Sequence, residues 1–120
     1  MSQQNTKEQT VIEAVKTLIA FAGEDPNRAG LVKTPDRVKR YYQEIFSGYQ
    51  MPLEPIFASR FASDGYDQMV VIKSIEFVSN CEHHLLPFSG TVDLAYWPHQ
   101  HVLGLSKFAR VVEVFCKRMQ

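Results

Sequence analysis

The spacing of apolar residues predicts two helices in the first part of the chain. The first apolar stripe predicts a helix over residues 7–22, with Thr6 and Gln9 as a capping box and Gly23 as its end. A second stripe predicts a helix that Thr34 caps and Gly48 ends. The first stripe consists of Val11, Ile12, Val15, Leu18, Ile19 and Ala22, and the second of Val38, Tyr41, Tyr42, Ile45 and Phe46. We interpret the basic face of the second helix, formed by Arg37, Lys39 and Arg40, as solvated rather than ligand-binding.

Later in the chain, the spacing of apolar residues changes from a helical period to the alternation that is typical of strands. Residues 49–67 show no clear period and predict a long connection, whereas residues 69–78 are rich in β-branched side chains and predict a strand. On that strand, alternation groups Val71, Ile75 and Phe77 on one face. Residues 90–97 predict a second strand, and residues 101–103 a short pairing segment.

A third helix follows, which Ser106 is expected to cap. Its apolar stripe consists of Phe108, Val111, Val112, Phe115 and Met119. We therefore divide the chain into a helical region (1–48), a connecting loop (49–67) and the first part of an α+β domain (68–120). No helix stop signal follows Val111, and two strands alone are marginally stable. We expect a chain that is incomplete or that depends on other chains.

Length and charge narrow the class of protein. With 120 residues the chain forms one domain at most. Thirteen basic and thirteen acidic residues balance, so we expect no nucleic-acid partner, and any anion site must be local. The chain has neither a long apolar run nor a signal core, so we expect no membrane partner. Its two cysteines resemble a ligand and a core residue more than a disulfide, which indicates a reducing cytoplasm.

Cys81-x-x-His84 is the candidate metal motif. A thiolate and an imidazole on one short loop suit a divalent ion, zinc above all, although such a pair also occurs incidentally. A catalytic zinc needs a third protein ligand, which must come from elsewhere. We assign Cys116 to the core instead, and we expect the imidazoles of His99 and His101 to face solvent.

Two further groups complete the candidate chemistry. His83 adjoins the metal motif and is suited to general acid–base catalysis there, its alternative being a surface role. Ser106, Lys107 and Arg110 combine a helix start with two cations on one side, which predicts an anion site. The alternative for these three residues is an ordinary solvated helix.

Three stretches resemble GTP cyclohydrolase I: RAGLVKTPDRVKRYY, CEHHLLPFSG and GLSKFAR. The resemblance implies the tunnelling fold, an antiparallel sheet with helices on one face, here preceded by an N-terminal helical pair. It implies a toroidal homodecamer with sites at subunit interfaces. The activity implied is zinc-dependent opening of the purine ring of GTP, which releases formate and yields 7,8-dihydroneopterin triphosphate for folate or tetrahydrobiopterin synthesis.

The resemblance also implies residue roles. Cys81 and His84 would be two of three Zn²⁺ ligands, His83 the proton-transfer residue, and Ser106, Lys107 and Arg110 the triphosphate site. The family's glutamine–glutamate pair, late histidine, third ligand cysteine and further arginine have no counterpart here. We therefore expect about half an active site, and doubt catalysis by the 120-residue chain alone. The alternatives are a truncated or degenerate relative that binds nucleotide or joins a larger ring and, fitting less well, a tunnelling-fold enzyme of deazapurine metabolism.

Overall fold

The first apolar pattern forms helix α1 (Gln3–Phe21) in the computed structural model of the protein, which describes residues 3–120. The helix begins before the predicted start, so Thr6 and Gln9 lie inside it and the predicted capping box is wrong. The Thr6 carbonyl accepts a hydrogen bond from the Thr10 hydroxyl at 2.9 Å, and the Gln9 amide donates to Glu13. Polar helix-forming residues extend the helix upstream of its apolar stripe, where periodicity gives no signal.

The predicted end of α1 at Gly23 is confirmed. Gly23 has a φ of +90°, and its N–H donates to the Ala20 carbonyl at 3.0 Å. The following N–H, that of Glu24, donates to the Ile19 carbonyl at 3.2 Å. These two bonds form a Schellman motif, in which glycine supplies the left-handed residue.

Helix α2 (Thr34–Ile45) completes the first of two units, which divide between Glu44 and Ile45. Thr34 lies within the helix rather than before it, and the helix ends at Ile45 rather than at Gly48. Arg37 and Arg40 are exposed, as predicted for the basic face. The Lys39 ammonium instead lies 3.2 Å from the Glu8 carboxylate of α1, and its side chain is only 20% exposed.

The second unit mixes short helices with antiparallel strands, which confirms the predicted α+β class. Its elements are a 3₁₀ turn (Ser47–Tyr49), α3 (Glu54–Ala58), β1 (Arg60–Ala62), β2 (Val70–Asn80), β3 (Pro87–Tyr96), β4 (His101–Leu103) and α4 (Leu105–Cys116). The stretch 49–67, predicted as an irregular connection, therefore contains a helix and a strand that are too short to show a period. β1 pairs with β4, as expected for residues 101–103, and β2 pairs with β3 as a hairpin.

A β-bulge in β2 changes which side chains face the core. Ile72 lies opposite Leu94 and Ile75 opposite Val92. The two residues between Ile72 and Ile75 on β2 therefore face the single residue between Val92 and Leu94 on β3. The extra residue switches the alternation, and Ile72 and Ile75 are both half-buried whereas Val71 is 46% exposed. The predicted grouping of Val71 with Ile75 and Phe77 is therefore wrong.

Helix α4 supplies most of the core of the second unit. Phe108, Val112 and Val114 are buried, and the Phe108 ring lies 5.2 Å from that of Tyr96 on β3. Phe115, which was predicted to face the core, is 44% exposed. The helix begins one residue before Ser106 and ends at Cys116, so the expected continuation through Met119 is wrong.

Among the helices of residues 3–120, none combines the length and apolar character needed to cross a bilayer.

Candidate functional site

The candidate metal motif forms the loop of the β2–β3 hairpin. The Cys81 N–H donates to the Leu86 carbonyl and the Leu85 N–H donates to the Cys81 carbonyl, both at 2.9 Å. Leu85 adopts a positive φ of 57°, which closes the turn. Residues 82–84 form its exposed tip. The loop therefore presents Cys81 and His84 from one closed turn.

The backbone of this loop favours the thiolate form of Cys81. The pKa of the Cys81 thiol is lowered mainly by hydrogen bonding from the His84 backbone and, to a smaller extent, from the Leu86 backbone. Burial raises this pKa, but by less. A thiolate is the form that binds a metal ion, so this turn is suited to a soft divalent cation. The centroids of the His83 and His84 rings are 6.4 Å apart and the ring planes are inclined at 46°. The two imidazoles are therefore not stacked on each other.

The donor chemistry fits zinc, but only in part. Cys81 and His84 offer a sulfur and a nitrogen ligand, whereas residues 3–120 contain no cluster of three or more His, Cys, Asp or Glu side chains able to hold a metal. Cys116 is half-buried in α4, and burial raises the pKa of its thiol. This environment differs from that of Cys81 and suits the core role predicted for Cys116.

The base of the hairpin loop is joined to the end of α4. The Ser79 hydroxyl donates to the Cys116 carbonyl at 2.6 Å, and the Gln120 N–H donates to the Asn80 carbonyl at 3.0 Å. The Glu82 N–H donates in turn to the Gln120 carbonyl at 2.8 Å. We call this set of bonds, which joins residues 79–82 to residues 116–120, the loop clamp. Periodicity and motif spacing gave no sign of it.

The candidate anion residues lie in the first turns of α4. Gly104, not Ser106, is the N-cap, and no side chain caps the helix, so the predicted capping role of Ser106 is wrong. Ser106 and Arg110 are exposed, and Lys107 is half-buried. Within residues 3–120, no acidic side chain forms an ion pair with Lys107 or Arg110. Both cations are therefore available to an anionic ligand.

The two candidate groups lie at opposite ends of α4. The loop clamp holds the metal loop at Cys116, ten positions along the helix from Ser106. At 1.5 Å per residue this is about 15 Å along the axis. The structure therefore brings Cys81, His83 and His84 into one loop, and Ser106, Lys107 and Arg110 into one helix start, but it does not bring the two groups together within one chain.

The two remaining histidines occupy different surroundings. His99 accepts a hydrogen bond from the Ser63 hydroxyl through its carbonyl, and its side chain is exposed, as predicted. His101 is exposed too, as predicted, but it lies in β4 rather than on a turn and lines a cavity of about 380 Å³. The other residues that line this cavity are Phe57, Arg60, Leu94, Tyr96, Leu103, Phe108 and Val111.

The α+β unit thus carries Cys81 and His84 on one hairpin loop, and Lys107 and Arg110 at the start of a helix. The family model for GTP cyclohydrolase I matches residues 11–120. The chain therefore belongs to the GTP cyclohydrolase I family, which confirms the predicted resemblance.

Similar proteins named GTP cyclohydrolase 1 occur in several bacteria. The chain is 53% identical to that of Rickettsia bellii over 116 residues, which cover 96% of this chain and 60% of that protein. It is 49% identical to that of Rickettsia akari, with coverage of 100% and 63%. For that of Brucella canis the identity is 50%, with coverage of 89% and 51%. The chain thus spans between half and two thirds of the length of these relatives.

Proposed function

We propose that this chain contributes to a GTP cyclohydrolase I, which hydrolytically opens the purine ring of GTP, releases formate and forms 7,8-dihydroneopterin triphosphate. The observation that carries the proposal is the family match over residues 11–120, together with relatives named GTP cyclohydrolase 1 at about 50% identity. The Cys81–His84 loop and the start of α4 supply groups suited to this reaction.

Cys81 and His84 are the proposed ligands of a zinc ion. The lowered pKa of Cys81 supports this role, because metal binding then displaces a proton more readily. When bound, zinc supplies Lewis acidity and activates water at neutral pH. His83 is exposed beside His84 and is the proposed proton-transfer group at the purine ring.

Ser106, Lys107 and Arg110 are the proposed triphosphate site. The N-terminal N–H groups of α4 and the Ser106 hydroxyl provide donors, and the two side chains provide positive charge. Arg110 offers a planar fork that matches two phosphate oxygens. Binding of the triphosphate orients the purine for the reaction at its imidazole ring.

A homo-oligomer is the proposed functional state. A separation of about 15 Å along α4 favours sites built from more than one chain, since the metal loop and the cations of one chain lie at opposite ends of this helix. The tunnelling fold and the toroidal decamer implied by the family would provide such interfaces. We place the protein in the cytoplasm, because a thiolate ligand requires a reducing environment.

The activity is tested with two proteins. The 120-residue chain and a fusion of it to the part of the Rickettsia bellii relative that it does not cover are each incubated with zinc and GTP. Pterin fluorescence and formate are then measured. Product from the fusion supports the proposal, and absence of product from both contradicts it.

Variants of the active protein test the individual roles. Cys81→Ser should lose zinc, with Cys116→Ser as the matched control that retains it. His83→Ser should keep zinc and lose turnover, and loss of zinc instead would contradict the separate roles of His83 and His84. Arg110→Ala should mainly raise KM for GTP, with the exposed Lys73→Ala as control.

The second candidate is a module that binds nucleotide or assembles without turnover. The lack of a described three-ligand cluster favours this function for the chain alone. Zinc stoichiometry separates the two candidates. One tightly bound zinc per site supports the enzyme, whereas weak substoichiometric zinc supports the module.

A further inference from the structure

Ser79 is the most deeply buried polar residue near the candidate metal loop. It lies two positions before Cys81 and is only 1% exposed. Its hydroxyl donates to the Cys116 carbonyl at 2.6 Å and lies 3.3 Å from the Arg118 carbonyl. Because the last carbonyls of a helix have no partner within the helix, Ser79 satisfies a group that α4 leaves open.

The other bonds of the loop clamp join residues 80 and 82, which flank Cys81, to residues 119 and 120. Asn80 is 2% exposed and forms a parallel bridge with Met119, and its carbonyl accepts from the Gln120 N–H. The Glu82 N–H donates to the Gln120 carbonyl, which holds the residue directly after Cys81. The clamp therefore fixes the backbone on both sides of the Cys81 thiol.

The segment after α4 is itself held from its other side. The Gly48 N–H donates to the Lys117 carbonyl at 3.0 Å, and the Tyr49 hydroxyl accepts from the Met119 N–H at 3.1 Å. Residues 117–120 thus lie between the turn at residues 47–49 and the hairpin loop. Their position is determined by both neighbours, so they form a fixed support for the loop.

We propose that Ser79 is a positioning residue for the metal site. Through its bond to the end of α4 it holds the Cys81–His84 turn in the geometry that binds the ion. Ser79 touches neither metal nor substrate in this role. The inference rests on the proposed function, since it assigns to the loop clamp the support of the zinc ligands. Residues that hold ligands from outside the coordination sphere commonly change metal affinity tenfold or more when they are replaced.

The test compares Ser79→Ala with the wild-type sequence and with Ser89→Ala, a matched control at an exposed position on β3 of the same hairpin, all made as the fusion to the Rickettsia bellii part. Zinc Kd is measured by competition with a chromophoric chelator, and cobalt is added to record the thiolate-to-metal absorption band. Ser79→Ala should weaken zinc binding about tenfold or more and alter the cobalt band. Ser89→Ala should leave both unchanged, and Ser79→Thr, which keeps the hydroxyl, should restore binding towards wild type.

A folded Ser79→Ala protein with wild-type zinc Kd and cobalt spectrum would overturn the proposal. If Ser79→Ala does not fold, Tyr49→Phe replaces it, because this variant loosens residues 117–120 while retaining Ser79. Tyr49→Phe should weaken zinc binding in the same direction but less, and an unchanged Kd would again overturn the role of the clamp.

Amide hydrogen exchange separates this proposal from the proposed zinc site. In the metal-free Ser79→Ala chain, the amides of Cys81 and Glu82 should exchange faster than in Ser89→Ala. If Cys81→Ser binds zinc as well as wild type, the zinc assignment fails. Faster exchange would then still support positioning of the loop by Ser79, and unchanged exchange would refute it.

Discussion

Among the glycines of residues 3–120, Gly48 lies nearest to other backbone atoms, and replacing it with alanine should strongly destabilise the protein. A Cβ atom at this position would lie 2.7 Å from the Lys117 carbonyl oxygen, and nearer still to that of Val114. Both are backbone atoms and cannot rotate away. Gly48 does not have a positive φ, so the expected cost comes from overpacking rather than from backbone strain.

The magnitude follows from three contributions. Overpacking against rigid atoms costs about 1–3 kcal/mol. Separating the segments also weakens the Gly48 N–H bond to Lys117 and the Arg118 bond to the Gly48 carbonyl, each 3.0 Å long and worth about 1 kcal/mol. The smaller entropy of the unfolded alanine chain offsets about 0.4–1 kcal/mol. We therefore expect a loss of about 3 kcal/mol in the free energy of unfolding.

Urea denaturation followed by circular dichroism measures this loss. With a slope of about 1–3 kcal/mol per molar urea, the midpoint should fall by about 1–3 M. Gly104→Ala is the matched control, because its Cβ would meet Phe61 at an ordinary 3.6 Å and its φ is −60°. The control should change the free energy of unfolding by less than about 1 kcal/mol. A Gly48→Ala protein as stable as this control would refute the reasoning.

The β-bulge and the two cysteines give three further predictions. Asp93→Ala should lower the free energy of unfolding by about 1–2 kcal/mol, because the Asp93 carboxylate accepts a hydrogen bond from the Ser74 N–H at 2.8 Å. Asp93→Asn keeps an acceptor, so its free energy of unfolding should fall by less in the same urea assay. Ser74 has a φ of 58°, so Ser74→Gly should be at least as stable as wild type and Ser74→Val clearly less stable, and the reverse order would contradict the left-handed conformation. The pKa of the Cys81 thiol is lowered, chiefly by hydrogen bonding from the His84 backbone, and that of the Cys116 thiol is raised by burial. As pH rises, iodoacetamide should therefore modify Cys81 before Cys116, and equal rates measured by mass spectrometry at pH 7 would contradict this.

The spacing of apolar residues predicted a helix or strand correctly where the residues that determine it all lie within that helix or strand. The strand predicted over residues 90–97 corresponds to β3, in which Val92, Leu94 and Tyr96 are half-buried and alternate with exposed residues. The same reasoning failed on β2. At its bulge the Ser74 N–H donates to the Asp93 carboxylate of the neighbouring strand, and this partner lies outside residues 69–78.

The candidate site divides in the same way. Cys81-x-x-His84 is visible as a motif because both residues belong to one turn. The end of α4 could not be predicted from the residues of the helix itself, because the carbonyl of its last residue accepts a hydrogen bond from Ser79, which is far away in sequence. The stretch 49–67 was predicted as irregular because a strand of three residues, such as β1, is recognisable only beside its partner β4.

Helix α4 acts as a spacer of fixed length between two chemically different ends. Its start carries Lys107 and Arg110, and its last carbonyl is tied to the metal loop. An α-helix rises about 1.5 Å and turns about 100° per residue. One residue inserted between Arg110 and Cys116 would therefore rotate the cations by more than a quarter turn relative to the loop. In the homo-oligomer that we propose, this error would recur at every interface, so the length of α4 should tolerate far less change than the surface composition of the helix.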